Sequence, residues 1–175
     1  QVILESVRVP TANRLGAEGD GLHIAMKGLN GGRVNMGACS LGGAQWAFDR
    51  AVAYVQERKA FGAPLAANQS IVFELADMQA KLQASRLLLQ DAAAKMDTGA
   101  EDLVSACALA KRFATDAAFE VANSALQLHG GYGYLQECGI ERVVRDLRVH
   151  QILEGANEIM RGIVGREVLR ASKKP

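Results

Sequence analysis

Apolar residues fall into three long runs with helical spacing, separated by short stretches rich in glycine and proline. In the first run Leu41, Ala44, Phe48, Ala51 and Val55 recur three or four positions apart, which lines one face of a helix. A helix is therefore predicted from about Leu22 to about Lys59, stopped within AFGAP by Gly62 and Pro64. A second is predicted from about Asn68 to about Asp97. Ile71, Leu75, Met78, Leu82, Leu89 and Met96 form its apolar stripe, and Gly99 is its C-terminal cap. A third, about Asp102 to His129, carries Leu103, Ala106, Ala110, Ala117, Val121 and Leu128 and ends at Gly130 and Gly131. A short helix near Ile140–Arg148 and a last one from about Ala156 to Ala171 complete the set.

The first twenty residues lack this period. Val2, Leu4, Val7 and Val9 are β-formers, and Pro10, Asn13, Gly16 and Gly19 break the chain, which predicts a short strand and then a loop. No second strand is predicted to pair with it, so residues 1–20 are expected to be the remnant of a neighbouring β domain. The chain opens on Gln1 rather than Met and is expected to be part of a longer protein. Residues 21–175 are expected to form an all-α, up-and-down bundle of the four-helix type, with the small residues of GACSLGGAQWA allowing close helix contact.

Composition narrows the picture. At 175 residues, 49% hydrophobic and 22% charged, the chain suits one well-buried core rather than a disordered segment. With 20 basic against 19 acidic residues and only 5% aromatics, it lacks the charge and stacking surface of a nucleic-acid binder. Cys39, Cys107 and Cys138 are odd in number and have no C-x-x-C spacing, which reads as reduced thiols rather than a disulfide framework or a zinc site. His23, His129 and His150 are likewise without ligand spacing, and no metal is expected. No apolar run reaches the length of a membrane span, and no signal peptide is visible.

Three stretches could carry chemistry. In ILEGANEI a carboxylate, Glu154, stands between Leu153 and Gly155, with Glu158 one turn later. An acidic residue in a first helical turn is explained by the macrodipole; a general base kept partly dry is the sharper reading. ERKAFG, residues 57–62, reads alone as a solvated helix end. QLHGGYGY, residues 127–134, reads alone as a glycine stop, although its exposed backbone donors and the Gln127 amide also suit a phosphate or flavin edge. Arg145, Arg148, Arg161 and Arg166 surround the carboxylate–glycine pair and suggest an anionic ligand beside a base.

Taken in order, the segments RVP…N.LG.EG.G, LNGGR, ERKAFG…NQ, LADM, QLHGGYGY and VRDLRVHQILEG.NEI resemble the C-terminal part of the flavin-dependent acyl-CoA dehydrogenases, over nearly the whole chain. The match is nearest to the short branched-chain members. The resemblance implies FAD as cofactor and an acyl-CoA substrate. It also implies an electron-transfer flavoprotein as acceptor, and a homotetramer built as a dimer of dimers. Location would be cytoplasmic in a bacterium and the mitochondrial matrix in a eukaryote. An N-terminal helical domain and a middle β domain would precede this bundle.

By the same resemblance Glu154 is the catalytic base that removes the α-proton of the thioester. Some relatives carry the base instead just before the arginine of GGR, and here that residue is Gly32. Arg58 and Phe61 match a segment whose arginine meets the flavin pyrophosphate from a neighbouring subunit. Asn68 and Gln69 match the next cofactor contact, and Gln127, Leu128, His129, Gly130 and Gly131 match the loop on the adenosine side. Ala156, Asn157 and Glu158 match a further cofactor-contacting stretch, in which many relatives have threonine and serine at the first two positions. Ala156 therefore leaves only a backbone contact. Asn30, Gly31, Gly32, Arg33, Gly155 and Arg166 match substrate contacts. Leu153 stands where many straight-chain relatives have tyrosine, which would admit a methyl branch. Two other readings stay open: an oxidase-type or monooxygenase relative, and a helical assembly module inactive by itself.

Overall fold

The computed structural model describes residues 1–173; the last two positions of the expected 21–175 domain, 174 and 175, lie outside the described residues. Five α-helices form among the described residues: α1 Gly21–Glu57, α2 Gln69–Thr98, α3 Leu103–His129, α4 Ile140–His150 and α5 Asn157–Ala171. Their ends lie within two residues of those expected from the apolar period.

Side-chain pairings give the direction of each helix. Gly31 lies by Met96, Gly37 by Leu89, and Gln45 accepts a hydrogen bond from Arg86, so α2 descends as α1 rises. Lys95 pairs with Asp102 and Lys81 with Glu120, which returns α3 antiparallel to α2. Asp116 near the middle of α3 meets Arg161 early in α5, while Glu101 acts on Arg170 at its far end, so α5 also runs antiparallel to α3. The all-α bundle is thus the expected up-and-down arrangement, with α3 at its centre.

Small side chains make that centre possible. The buried face of α3 includes Ala106, Ala110, Ala114, Ala118, Ala122 and Ala125, packed against Leu41, Ala44, Ala51, Met78, Leu82 and Leu89. Phe48 and Leu75 pack at the margin of this core. At Gly37 a Cβ would stand 2.5 Å from Leu89 Cδ2, so a larger residue there would force the buried Leu89 side chain to shift. Helix-interior glycine costs about 0.5–1 kcal/mol relative to alanine, and the contact it permits offsets that. Asn68 caps α2 by accepting the Ser70 amide at 3.1 Å, and Gly99 ends it in the left-handed conformation as expected.

Two local expectations need correction. The strand expected within residues 2–9 does not form: Val2, Leu4, Val7 and Val9 are all exposed, and no strand among the described residues lies beside them. β-propensity without a partner leaves the backbone polar groups to water, so the segment stays unpaired, with a bend at Ser6 where φ is +49°. Conversely, AFGAP is more than a helix stop. β1 (Lys59–Ala60) and β2 (Ala63–Pro64) form an antiparallel hairpin whose turn residues Phe61 and Gly62 have φ of 53° and 86°. Two successive positive φ values belong to the tight turn that matches strand twist. No helix among the described residues is long and apolar enough to cross a membrane.

Candidate active site

Between α4 and α5 the chain makes a short loop, residues 151–156, and Glu154 is its most strained residue. It has φ +54° and is followed by Gly155 at φ +91°. A side-chain-bearing residue in this region costs of order 1–3 kcal/mol and persists only where its surroundings enforce it. The enforcement is visible. The Ile152 and Leu153 amides donate to the Val149 carbonyl at 2.9 and 3.0 Å, and the Asn157 amide donates to Gln151 O at 3.0 Å, closing the loop. At Gly155 a Cβ would lie 2.7 Å from Met160 Cε.

Beneath the loop lies a block of polar side chains from α3. Lys111 is fully buried; its Nζ donates to Gly155 O at 2.8 Å and to Asn157 Oδ1 at 2.9 Å. Asn157 Nδ2 donates to Asp116 Oδ1 at 2.7 Å and to Thr115 Oγ1 at 2.9 Å, and Gln151 Nε2 reaches the same Asp116 oxygen at 2.9 Å. Arg112 and Arg161 pair with the other Asp116 oxygen at 3.2 and 3.4 Å. The side chain of Asn157 is therefore committed inward, and any cofactor contact at this position falls to its backbone.

The half-buried Glu154 carboxylate is directed at α1. A Cβ on Gly32 would stand 2.5 Å from Glu154 Oε2 and 2.9 Å from Cδ, so the two positions address one point in space. Next to it Arg33 is buried and donates to Asn30 Oδ1 at 3.0 Å, while its Nε has no hydrogen-bond partner among the described residues. Burial pushes the Cys107 thiol up, partly opposed by the nearby Arg33 cation. Burial likewise pushes Lys111 below its ordinary value, against the attraction of Asp116 and Glu154.

His150 closes α4 with its Nδ1 2.9 Å from Ser40 Oγ, whose hydroxyl donates to Met36 O. Burial holds its pKa below the ordinary 6.5, with Asp146 opposing and Lys111 adding to the shift. As pH falls through 6.5 the unfolded chain takes up a proton that the native imidazole still refuses, so stability falls until the depressed native value is passed. His150→Gln is expected to flatten that acid limb, read as a smaller difference between urea midpoints on either side of pH 6.5.

A second group of expected residues meets at the other end of α1. Arg58, Gln127, Leu128, His129, Gly130 and Gly131 line one open groove of about 530 Å³ together with Tyr54 and Tyr132. The Arg58 guanidinium lies 5.8 Å from the Tyr132 ring centre. His129 is stacked on Tyr54 at 4.4 Å, and its Nδ1–H donates to Ala125 O at 2.7 Å, so this ring is held as part of the groove wall. Phe61 projects from the hairpin, wholly exposed, and Asn68 and Gln69 are exposed at the start of α2. Ala156 and Glu158 instead sit with Asn157 at the start of α5, beside Glu154. Arg166 is exposed, with its guanidinium near Gly162.

Lys111, Thr115 and Asp116 are the functional-site neighbours that motif reading overlooks. Their signal was available: Lys111 lies four residues after Cys107 and three before Ala114, on the face that the alanine period buries. Among the described residues no cluster of side chains is suited to a metal ion.

The acyl-CoA dehydrogenase C-terminal domain matches residues 19–169, and the chain belongs to that family. It is 53% identical over 169 residues to the mitochondrial isobutyryl-CoA dehydrogenase of Bos taurus, which covers 97% of this chain and 41% of that protein. To the enzyme of the same name from Dictyostelium discoideum it is 50% identical over 167 residues, covering 95% and 40%. Its structure superposes on butyryl-CoA dehydrogenase from Megasphaera elsdenii with a TM-score of 0.92 at 43% identity, covering 96% of this chain and 44% of that one. The chain thus spans about two fifths of the length of these curated relatives.

Proposed function

We propose that this chain is the C-terminal part of an FAD-dependent acyl-CoA dehydrogenase that forms the α,β double bond of a short, branched acyl-CoA of the isobutyryl kind, with Glu154 as base. The observation that carries the reading is the Glu154 carboxylate, held in a strained turn and pressed against Gly32. An α-C–H is a very weak acid, so its removal needs a base held in place beside it and a thioester carbonyl that can take up negative charge. Glu154 supplies the first. Its own amide donates to no backbone acceptor among the described residues and is available for the second. The half-exposed Leu153, adjacent in sequence, leaves room for an α-methyl group that a tyrosine would fill.

The residues present suit a flavin dinucleotide. The groove at Arg58 offers a cation for a pyrophosphate, and the Gly130–Gly131 backbone lets a ligand approach closely. When bound, FAD supplies the acceptor for the hydride that leaves the β-carbon. Gly32 and Arg58 are separated by roughly 39 Å along α1 at 1.5 Å per residue, longer than one such cofactor. That separation supports a composite site, with Arg58, Phe61, Asn68, Gln69 and Gln127–Gly131 serving the flavin of a neighbouring subunit, and hence a homotetramer. The exposed apolar arm at residues 2–9 supports continuation into a β domain, and residues 21–175 are taken as the bundle domain. An electron-transfer flavoprotein completes the proposed cycle as acceptor.

The test is a substrate series on the full-length protein. Anaerobic flavin reduction is expected to have its highest kcat/KM with isobutyryl-CoA, ahead of butyryl- and octanoyl-CoA. Preference for a straight chain would overturn the branched assignment. Rapid reoxidation of the reduced flavin by oxygen would indicate an oxidase-type relative.

A further inference from the structure

We propose that Lys111 is a positioning residue for Glu154: its ammonium clamps the Gly155 carbonyl from below and so holds the Glu154–Gly155 pair in the left-handed turn that sets the carboxylate against Gly32. This rests on the reading of Glu154 as base.

The lysine is out of place as mere filling. It is fully buried in the alanine face of α3, where a methionine or leucine would pack without the cost of taking a charge from water. Neither of its hydrogen bonds is to a carboxylate, and Asp116 is instead paired with Arg112 and Arg161. The lysine's two hydrogen-bond acceptors are neutral oxygens on the residues flanking Ala156, Gly155 O at 2.8 Å and Asn157 Oδ1 at 2.9 Å. Those acceptors hold the C-terminal side of the strained pair. Gly155 O belongs to the second of the two positive-φ residues, and Asn157 closes the loop through its amide to Gln151 O. Asn157 is fixed in turn by Thr115 and Asp116, so the loop is pinned to α3 through Lys111, Thr115 and Asp116. Release of the Gly155 carbonyl would free the 154–155 backbone to relax toward negative φ at Glu154 and swing the carboxylate off α1. Glu154 and Asp116 both favour the charged lysine against its burial, and a neutral amine would still carry two donors for the same two acceptors.

The test uses the full-length flavoprotein. Lys111→Met is expected to retain FAD and its affinity for a CoA thioester product, yet to reduce flavin at saturating substrate at least tenfold more slowly. It is also expected to speed hydrogen exchange at the Leu153 and Asn157 amides at least tenfold, with or without FAD, while the interiors of α1 and α3 exchange as before. A merely structural role is separated by moving the base onto the rigid helix. In a Gly32→Glu, Glu154→Gly background the rate loss from Lys111→Met should shrink below threefold. Equal losses in both backgrounds, or an unchanged loop and rate, would overturn the clamp. If Lys111→Met does not fold, Lys111→Gln, too short to bridge both acceptors, carries the same comparison. Flavin reduction that survives Glu154→Gln would remove the base assignment and the clamp's purpose with it. An inactive Glu154→Gln beside a normal Lys111→Met would overturn the clamp alone.

Discussion

Glu154→Gln in the full-length enzyme is expected to lower the rate of substrate-driven flavin reduction by about 10²–10⁴-fold, the usual contribution of a positioned general base. FAD content should be unchanged, because the Glu154 side chain is directed at α1 Gly32 and not at the Arg58 groove. Glutamine has nearly the same shape, so the loop and its contacts to Lys111 should persist and the melting temperature should change little. Anaerobic stopped-flow bleaching of the flavin measures the effect. The alternative slot offers no substitute, since position 32 carries no side chain.

Gly32→Ala is the complementary substitution and should act without touching the base chemically. Its new Cβ would fall 2.5 Å from Glu154 Oε2, well inside van der Waals contact. The obstructed atom is the far end of a flexible side chain, so the fold should survive while the carboxylate is displaced. Misplacement of a reacting group by about 1 Å costs about 10²-fold in rate. The expected result is therefore a fall in the flavin reduction rate of that order, with kcat affected more than the binding of a product thioester. Alanine there is also a better helix former than glycine, so a small gain in thermal stability should accompany the loss of rate.

The helices were legible because each long element buries a periodic face. Leu41, Ala44, Ala51 and Val55 on α1 and Met78, Leu82 and Leu89 on α2 all proved buried as their spacing requires. What the period could not reveal is how residues distant in the chain come together. Lys111 and Gly155 are 44 residues apart, and the bond between them exists only because α5 returns along α3. The clustering of Arg58 with Gln127–Gly131 was likewise hidden, since it depends on α1 and α3 ending side by side at Tyr54 and His129. The N-terminal segment failed for a different reason. Its residues favour a strand, but a strand is a property of pairing, and propensity alone cannot supply the partner. The hairpin at 59–64 was missed because Phe61 adopts a positive φ that its residue type disfavours, and only Gly62 signalled the turn.

The central claim is that Glu154 takes the α-proton, and solvent exchange of that proton tests it apart from electron transfer. Full-length enzyme would be held anaerobically with an excess of isobutyryl-CoA in D₂O, and deuterium at the α-carbon of recovered thioester followed by mass spectrometry. The account predicts steady incorporation by the unaltered enzyme and none above background by Glu154→Gln. Incorporation by Glu154→Gln at the unaltered rate would contradict it.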